Sequence, residues 1–333
     1  MNKVDVLIGM QFGSEGKGLI AGHLACSGRY DTVVNVNMPN AGHTYITDEG
    51  KEYMFKVLPN GAVSPHVNRV MLGPDSVFSL ERLLIEMDMV GGNIWNRLII
   101  HENATIMRPE HTIRERNLGQ MERIGSTAQG SAEAVIDKIR REEDAVIKFD
   151  PDLLHENIAT HSEWMRNLQG ADNVLLEGCQ GYSLGLNAGF YPYCTSRDCT
   201  PGRLAAGAGI PHYWIRRVIG AARLHPIRVG GNSGPAYEDQ HELSWEELGL
   251  RPEFTTVTQR QRRIFTFSRQ QIKNAIIECG VNDVFLNFCN YDPELATDVK
   301  GAINKICHTF GRSNSKVSYT GWGPKDSDIR YED

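Results

Sequence analysis

Residues 4–18 read VDVLIGMQFGSEGKG. The run Val4–Ile8 is mostly apolar and β-branched, which predicts a buried strand. A glycine-rich turn follows, and helical spacing continues over residues 16–26. Such a strand, turn and helix N-terminus form an anion site, because backbone N–H groups and the helix dipole attract phosphate. With Lys17 in the turn, the stretch predicts a phosphate-binding loop at a strand end.

The loop resembles a P-loop without matching the Walker A sequence. That sequence places Ser or Thr after the lysine, whereas Gly18 follows Lys17. A P-loop kinase or GTPase is therefore disfavoured. A plain tight turn is the other interpretation, but four glycines and a lysine at one strand end make it the weaker one.

A second run, residues 32–36, also reads as a strand and leads into NVNMPNAGHT, residues 35–44. The carboxyl ends of neighbouring parallel strands line one crevice. We therefore expect His43 to face the phosphate loop. A lone histidine is more often structural, but its place between Gly42 and Thr44, just past a strand end, favours a functional role.

Further apolar runs alternate with helical patterns along the chain. We predict short strands at 70–72, 98–100, 174–176 and 283–287, and helices at 79–89, 132–142 and 269–279. This alternation is typical of an α/β fold with a large, mainly parallel central sheet and helices on both faces. Neither a repeat nor a low-complexity linker interrupts it, so we expect a single domain over residues 1–333.

Composition narrows the functional classes. The net charge of −6 disfavours duplex binding, so we expect no nucleic-acid partner. Seven cysteines without a CxxC pair disfavour a disulfide framework or a zinc site and suggest a cytoplasmic protein. We also expect neither a signal peptide nor a membrane span.

Several motifs together resemble the adenylosuccinate synthetase family. QFGSEGKG (11–18) and NAGHT (40–44) are similar to that family's QWGDEGKGK and NNAGHT. The same order holds for GSTAQGS (125–131), EGCQG (177–181), YPYCTS (191–196), RVGGNSGP (228–235), VTQRQRR (257–263) and TGWGP (320–324). Each match is modest, but their order over nearly the whole chain is specific, although the chain is shorter than ordinary members.

The resemblance implies that family's fold and a ligase of purine nucleotide biosynthesis. In the family, a nucleoside triphosphate phosphorylates O6 of a purine mononucleotide, and the amine of L-aspartate then displaces that phosphate at C6. It implies His43 and Ser14 at the catalytic positions, and Mg²⁺ near Ser14 and the Gly42 carbonyl. It also implies a homodimer in which Arg141 crosses the interface.

Binding residues carry over by position in the motifs. For the triphosphate they are Gly13, Ser14, Glu15, Gly16, Lys17, Gly18, Gly42, His43, Thr44, Arg262, Asn290, Gly321, Gly323 and Pro324. For the purine monophosphate they are Ser14, Asn40, Ser126, Thr127, Arg141, Gln180, Thr195 and Arg260. For aspartate they are Thr256, Val257, Thr258, Gln259, Arg260 and Arg262, where the arginines suit carboxylates.

Ser14 stands where the family has a catalytic aspartate that takes the N1 proton. The smaller side chain would leave room for the 2-amino group of guanine, although a carboxylate could also bind that edge. A bacteriophage branch of the family carries Ser here and converts dGMP to N6-succino-2-amino-2′-deoxyadenylate, a precursor of 2-aminoadenine DNA. The resemblance extends to this branch, which would place the protein in the host cytoplasm.

The family reads the guanine of GTP with a TKLD segment, and residues 287–290 here read NFCN. Asn290 offers a donor and an acceptor, so it cannot enforce guanine as a carboxylate would. We therefore expect ATP or dATP as co-substrate.

Two other functions compete with the dGMP ligase. One is an ordinary ligase acting on IMP with GTP, and the other is an inactive nucleotide-binding homologue. Ser14 is the best argument for inactivity, whereas the joint presence of His43, Lys17, Arg260 and Arg262 argues against it.

Overall fold

A computed structural model describes residues 3–149, 154–255 and 259–332. The strands of this part of the chain are β1 (Val4–Gly9), β2 (Thr32–Asn35), β3 (His43–Ile46), β4 (Glu52–Phe55), β5 (Arg69–Leu72), β6 (Val77–Phe78), β7 (Leu98–His101), β8 (Thr105–Ile106), β9 (Ile158–Ala159), β10 (Val174–Glu177), β11 (Ile215–Arg223), β12 (Ile227–Arg228), β13 (Glu242–Leu243), β14 (Arg263–Phe265), β15 (Asp283–Asn287), β16 (Lys316–Gly321) and β17 (Ile329–Tyr331).

Ten of these strands form one sheet in the order β17-β16-β15-β11-β1-β10-β2-β5-β7-β9. Every neighbouring pair is parallel except β16 and β17. The carboxyl ends of β1, β2, β10, β11, β15 and β16 therefore meet at one edge of the sheet. The loops that follow these strands begin there, and they carry predicted ligand residues.

The α-helices are α1 (Lys17–Cys26), α2 (Leu80–Val90), α3 (Ile94–Arg97), α4 (Pro109–Asn117), α5 (Gln120–Ile124), α6 (Ser131–Arg140), α7 (His161–Gln169), α8 (Pro201–Gly207), α9 (Arg269–Cys279) and α10 (Pro293–Phe310). They cover both faces of the sheet. Leu7 of β1 packs with residues of α1 and α2 in one core, whereas Val6 and Ile8 pack with residues of α7–α10 in the other. Alternate residues of a buried strand thus serve two cores, which is why the strands read as continuous apolar runs.

The α/β prediction is confirmed, with its predicted strands in the main sheet. The predicted helices correspond to α1, α2, α6 and α9, each shifted by no more than a residue or two. The apolar patterns do not predict four strands of this sheet, β9, β11, β16 and β17, nor the long helix α10. The β11 strand lies next to β1 at the centre of the sheet. Its arginines interrupt the apolar run, so the sequence pattern does not indicate a buried strand there. Asp292 and Pro293 are a standard helix start that marks α10.

Three smaller sheets, β12-β14-β13, β3-β4 and β6-β8, complete the described architecture. Strand β14 of the first sheet begins at the end of the arginine-rich segment, residues 259–263, which lies near the carboxyl end of β1, where Arg262 contacts Ser14. Within residues 3–149, 154–255 and 259–332, every helix is too short or too polar to span a bilayer.

Candidate active site

The glycine loop after β1 is held in an unusual backbone conformation. Gly13, Ser14 and Gly16 have φ angles of 88°, 60° and 84°. Turn conformations with left-handed residues can direct successive backbone N–H groups toward one side, which forms an anion-binding concavity. A methyl group added at Gly16 would lie 2.0 Å from Asn287 Nδ2, so glycine is required there for packing as well as for φ.

Glu15 supports this loop from within. Its Oε1 accepts hydrogen bonds from the backbone N–H groups of Gln11 (3.1 Å) and Gly13 (2.8 Å), and Lys17 Nζ lies 2.7 Å from Oε2. The Glu15 side chain is fully buried. The sequence interpretation placed Glu15 among the triphosphate ligands, but its carboxylate faces the protein interior. Its backbone alone could contact a phosphate, and its side chain pre-orders the loop and Lys17.

His43 begins β3 and is buried beside the loop. Asn60 Nδ2 donates to the His43 carbonyl oxygen at 3.1 Å, which holds the backbone, while the imidazole Nε2 is buried without a hydrogen-bond partner in the described structure. Burial lowers the pKa of His43 to about 3, and the nearby charge of Lys17 acts in the same direction. The imidazole is therefore neutral at physiological pH and can make one further hydrogen bond through Nε2.

The two loops share a cleft of about 540 Å³ at the carboxyl edge of the sheet. This volume is ordinary for a small-molecule site. Most of the predicted ligand residues line it: Gly13, Ser14, Gly16, Lys17, Gly18, Asn40, Gly42, His43, Thr44, Ser126, Thr127, Gln180, Thr195 and Arg262. Motifs that are far apart in the sequence therefore meet in one space, as the order of the strands requires.

Four side chains that line this cleft each have a buried polar atom that lacks a hydrogen-bond partner among the described residues. The atoms are His43 Nε2, Gln180 Nε2, Thr195 Oγ1 and Arg228 Nε. An unpaired buried polar group costs about 1–3 kcal/mol. Their convergence on one cleft indicates that a polar ligand satisfies them when it binds.

Arg262 joins the arginine-rich segment to the glycine loop. Its Nη1 donates a hydrogen bond to Ser14 Oγ, and its Nε donates to the Phe254 carbonyl at 3.3 Å. A guanidinium beside a hydroxyl favours negative charge on that oxygen. The predicted aspartate arginine and the predicted catalytic serine are thus in direct contact.

Other predicted residues lie around the cleft rather than in its wall. Asn290 is exposed just after β15, and Gly321 ends the neighbouring β16, with Gly323 and Pro324 beyond it. Arg141 is exposed after α6 with a φ of 68°. Gln259 and Arg260 precede Arg262, and Arg260 N–H donates to Thr255 Oγ1 at 3.0 Å. Thr256, Val257 and Thr258 lie outside the described residues.

Two functional candidates escaped the sequence interpretation. Arg223, at the end of β11, and Glu253 form an ion pair of 2.6 Å directly behind Ser14. Neither residue lies within the motifs that resemble the adenylosuccinate synthetase family. The available signal was a charged residue inside the apolar run IGAARL, at the carboxyl end of a strand.

The wall of the cleft is compatible with Mg²⁺ carried by phosphates. No group of three or more His, Cys, Asp or Glu side chains that could hold a metal occurs within residues 3–149, 154–255 and 259–332. Mg²⁺ commonly binds through one or two protein oxygens together with substrate phosphates and water. Gly42 and Ser14, both in the cleft wall, offer such oxygens.

Comparison with known proteins places these features in a family. The adenylosuccinate synthetase profile matches residues 6–164 and 144–310. An N6-succino-2-amino-2′-deoxyadenylate synthase of Vibrio phage phiVC8 is 47% identical over 338 residues, covering 99% of this chain and 98% of that protein. An adenylosuccinate synthetase of Methanocaldococcus jannaschii is 32% identical over 322 residues, covering 92% of this chain and 91% of that protein.

A solved structure is also similar over nearly the whole chain. It is the succinoaminodeoxyadenylate synthetase (PurZ) of cyanophage S-2L, bound to dGMP and to dATP as an energy donor. It is 37% identical, has a TM-score of 0.91, and the match covers 99% of this chain and 95% of that one. The relationship expected from the ordered motifs is thereby confirmed: the chain belongs to the adenylosuccinate synthetase family.

Proposed function

We propose that the protein is a ligase that joins L-aspartate to C6 of dGMP, with ATP or dATP as the energy donor. The product is N6-succino-2-amino-2′-deoxyadenylate, a precursor of 2-aminoadenine DNA. The observation that carries the proposal is the shared cleft: the glycine loop with Lys17, the unpaired Nε2 of His43 and Arg262 all border the same space.

The chemistry requires that an oxygen leave C6. In the first step the γ-phosphoryl group moves to O6 of dGMP, the nucleoside diphosphate departs, and the N1 proton is lost. In the second step the aspartate amine forms a bond to C6 and gives up one proton, the C6–O6 bond breaks, and inorganic phosphate leaves with O6. His43 Nε2 is placed to donate a hydrogen bond at O6 and the transferring phosphoryl oxygens, and Lys17 supplies charge to the phosphates.

Mg²⁺ belongs to this proposal as a companion of the triphosphate. Ser14 and the Gly42 carbonyl would hold it, and it would neutralise the charge that develops on the phosphoryl group. Because the side-chain oxygen at position 14 is neutral, most of its coordination would come from phosphate and water.

Ser14 supports dGMP over IMP as the substrate. Its side chain is small and lies in the cleft, so a base with a 2-amino group beside N1 has room there. The contact with Arg262 polarises the hydroxyl, which suits it to accept a hydrogen bond from that edge or to hold a water that takes the N1 proton. The N6-succino-2-amino-2′-deoxyadenylate synthase of Vibrio phage phiVC8, at 47% identity, is also more similar to this chain than the M. jannaschii adenylosuccinate synthetase, at 32%.

The segment after β15 supports an adenine nucleotide as donor. Asn287 packs against the glycine loop, where its Nδ2 donates to the Glu15 carbonyl at 3.3 Å and its Oδ1 accepts from Phe288 N–H at 2.8 Å. Its side chain is thus occupied, and Asn290 remains exposed for a base. Neither side chain provides the carboxylate that would select guanine.

The proposal extends to assembly. We propose that residues 1–333 form one domain, which is supported by the sheet that strands between residues 4 and 331 share. We also propose that two copies form a homodimer. Arg141, exposed after α6, would then reach the monophosphate in the partner's cleft.

A substrate panel tests the function. Purified protein is incubated with L-aspartate, Mg²⁺ and each pairing of dGMP or IMP with ATP, dATP or GTP, and products are read by mass spectrometry. We expect succino-product from dGMP with ATP or dATP. Product from IMP alone would refute the dGMP assignment, and a strong preference for GTP would refute the donor assignment. A His43→Ala variant controls for a contaminating enzyme.

A further inference from the structure

Arg223 is a fully buried arginine directly beneath the active site. Its Nη1 donates to the Ser14 carbonyl oxygen at 3.3 Å, and its backbone is tied to the same loop, because Arg223 N–H donates to Gln11 Oε1 at 2.8 Å and Gln11 Nε2 donates to the Arg223 carbonyl at 3.2 Å. Arg223 therefore holds the glycine loop at two points.

Glu253 is the partner of Arg223 and opens the segment that carries the predicted aspartate ligands. Its Oε1 lies 2.6 Å from Arg223 Nη2, and its backbone carbonyl accepts from Arg262 N–H at 2.8 Å. Tyr291 OH also donates to Glu253 Oε1, at 3.0 Å. The position of Glu253 thus fixes the backbone of Arg262, whose side chain touches Ser14.

Phe288 closes the cluster from the third side. The Arg223 guanidinium lies 3.9 Å from the centre of the Phe288 ring. Phe288 lines the cleft and has a φ of 62°, and it belongs to the segment that leads to Asn290. Arg223 consequently contacts three segments. They are the glycine loop, the stretch at Glu253 that precedes the predicted aspartate ligands, and the segment after β15 that leads to Asn290.

Stability alone does not explain a charge at this position. Burying an ion pair costs desolvation that its mutual attraction often fails to recover, and apolar residues of the same volume are commonly as stable. Arg223 Nε also lacks a partner within the described structure. The planar guanidinium, however, can join several fixed acceptors and a ring at once, which an apolar side chain or a lysine cannot do.

We infer that Arg223 and Glu253 are positioning residues that couple the arginine-rich segment, residues 259–263, to the glycine loop. Arg262 then meets aspartate only when the glycine loop holds Ser14 in place. The inference rests on the proposed function for the identity of the ligands. Arg223 does not line the cleft, so it acts through Ser14 and Arg262, whereas Glu253 lines the cleft together with Arg262.

The experiment separates the two half-reactions. Positional isotope exchange in ¹⁸O-labelled ATP with dGMP and no aspartate reports phosphoryl transfer, and steady-state kinetics report the KM for aspartate. Arg216→Lys is the matched control. Arg216 lies at the opposite end of β11, away from the cleft, and its Nε lies 2.9 Å from Oδ1 of the buried Asp5.

We expect Glu253→Gln to raise the aspartate KM about tenfold or more while exchange without aspartate stays within about threefold of wild type. Arg223→Lys should impair both readouts, and the double variant should be no worse than Arg223→Lys, since the pair acts as a unit. If either of the first two variants fails to fold, Tyr291→Phe removes one contact to Glu253 and should raise the aspartate KM about two- to threefold.

Amide exchange distinguishes failure of the inference from failure of the proposed function. ATP should slow exchange over residues 259–263 in wild type and in Arg216→Lys, but not in Arg223→Lys. Active, folded Arg223→Lys and Glu253→Gln variants with the aspartate KM of Arg216→Lys would overturn the inference. A wild-type protein that makes no succino-product would refute the proposed function. The coupling would then be decided by amide exchange alone: ATP-induced protection of residues 259–263 that is equal in wild type and Arg223→Lys would refute it.

Discussion

The imidazole of His43 is the residue on which the proposed chemistry depends most. It is buried, neutral and unpaired at Nε2. Replacement by alanine should lower turnover by about 10²–10⁴-fold, because a preorganised donor at a developing negative charge is lost. The affinity for ATP should change little, since Lys17 and the loop remain. Turnover and ATP binding measured on the same sample check this, and a fully active variant would remove His43 from catalysis.

The same burial predicts a dependence of stability on pH. The pKa of His43 is about 3 in the folded state and near 6.5 when unfolded, so the unfolded chain takes up the proton first as the pH falls. The stabilising contribution is complete above about pH 6.5 and declines below it, by about 1.5 kcal/mol between pH 6.5 and 5.

Urea unfolding at these two pH values, for wild type and His43→Asn, measures that contribution. The variant should lose less stability than wild type as the pH falls. The exposed His308 provides the control, because His308→Asn should follow the wild-type curve. Parallel curves for wild type and His43→Asn would contradict the prediction.

Ser14 governs the choice of purine. Aspartate at position 14 would restore a base at N1 and reduce the room beside the 2-amino group. We expect Ser14→Asp to shift the ratio of kcat/KM for dGMP and IMP toward IMP by about tenfold or more, which corresponds to about 1.4 kcal/mol. The φ of 60° at this position is one that aspartate tolerates comparatively well. An unchanged ratio would mean that position 14 does not select the base.

At the scale of an element, the glycine loop is built around close approaches. Gly16 combines a left-handed φ with a distance of 2.0 Å from an added methyl group to Asn287 Nδ2. Left-handed strain alone costs about 1–2 kcal/mol. Because the clash adds to this strain, Gly16→Ala should lower the free energy of unfolding by a larger amount. It should also abolish ATP binding.

Gly50 is the natural comparison for that variant. It has a similar φ of 86° with no atom within 4 Å of the added methyl group. Gly50→Ala isolates the strain, so the difference between the two variants in chemical unfolding measures the clash with Asn287. Equal losses would show that the packing of the loop against β15 contributes nothing.

At the scale of the whole molecule, the proposed homodimer makes a testable demand on Arg141. His43→Ala and Arg141→Ala should each be nearly inactive. If Arg141 serves the partner's cleft, a refolded equimolar mixture should recover about one quarter of wild-type activity, because half the dimers are mixed and each has one intact site. No recovery, in a protein whose mass in solution is that of a dimer, would place Arg141 in its own chain's cleft.

Much of the fold followed from patterns that local physics reads directly. Buried parallel strands must be apolar on both faces, and helices between them must be amphipathic, so runs such as residues 4–8 and 174–176 and the helix at 269–279 were visible. The central strand β11 was not visible in this way. Arg223 at its end is unfavourable in a buried strand unless a carboxylate from another part of the chain pairs with it. Glu253 provides that carboxylate, thirty residues later.

The class of fold, the phosphate-binding turn and most of the cleft residues could be predicted from the amino-acid order, because they depend on local backbone chemistry and on motifs whose order is preserved. In contrast, the inward turn of Glu15, the contact of Arg262 with Ser14 and the position of Arg223 between three segments are visible only in the folded chain. Such contacts depend on which strands become neighbours in the sheet, and that order is a property of the packed chain rather than of any segment within it.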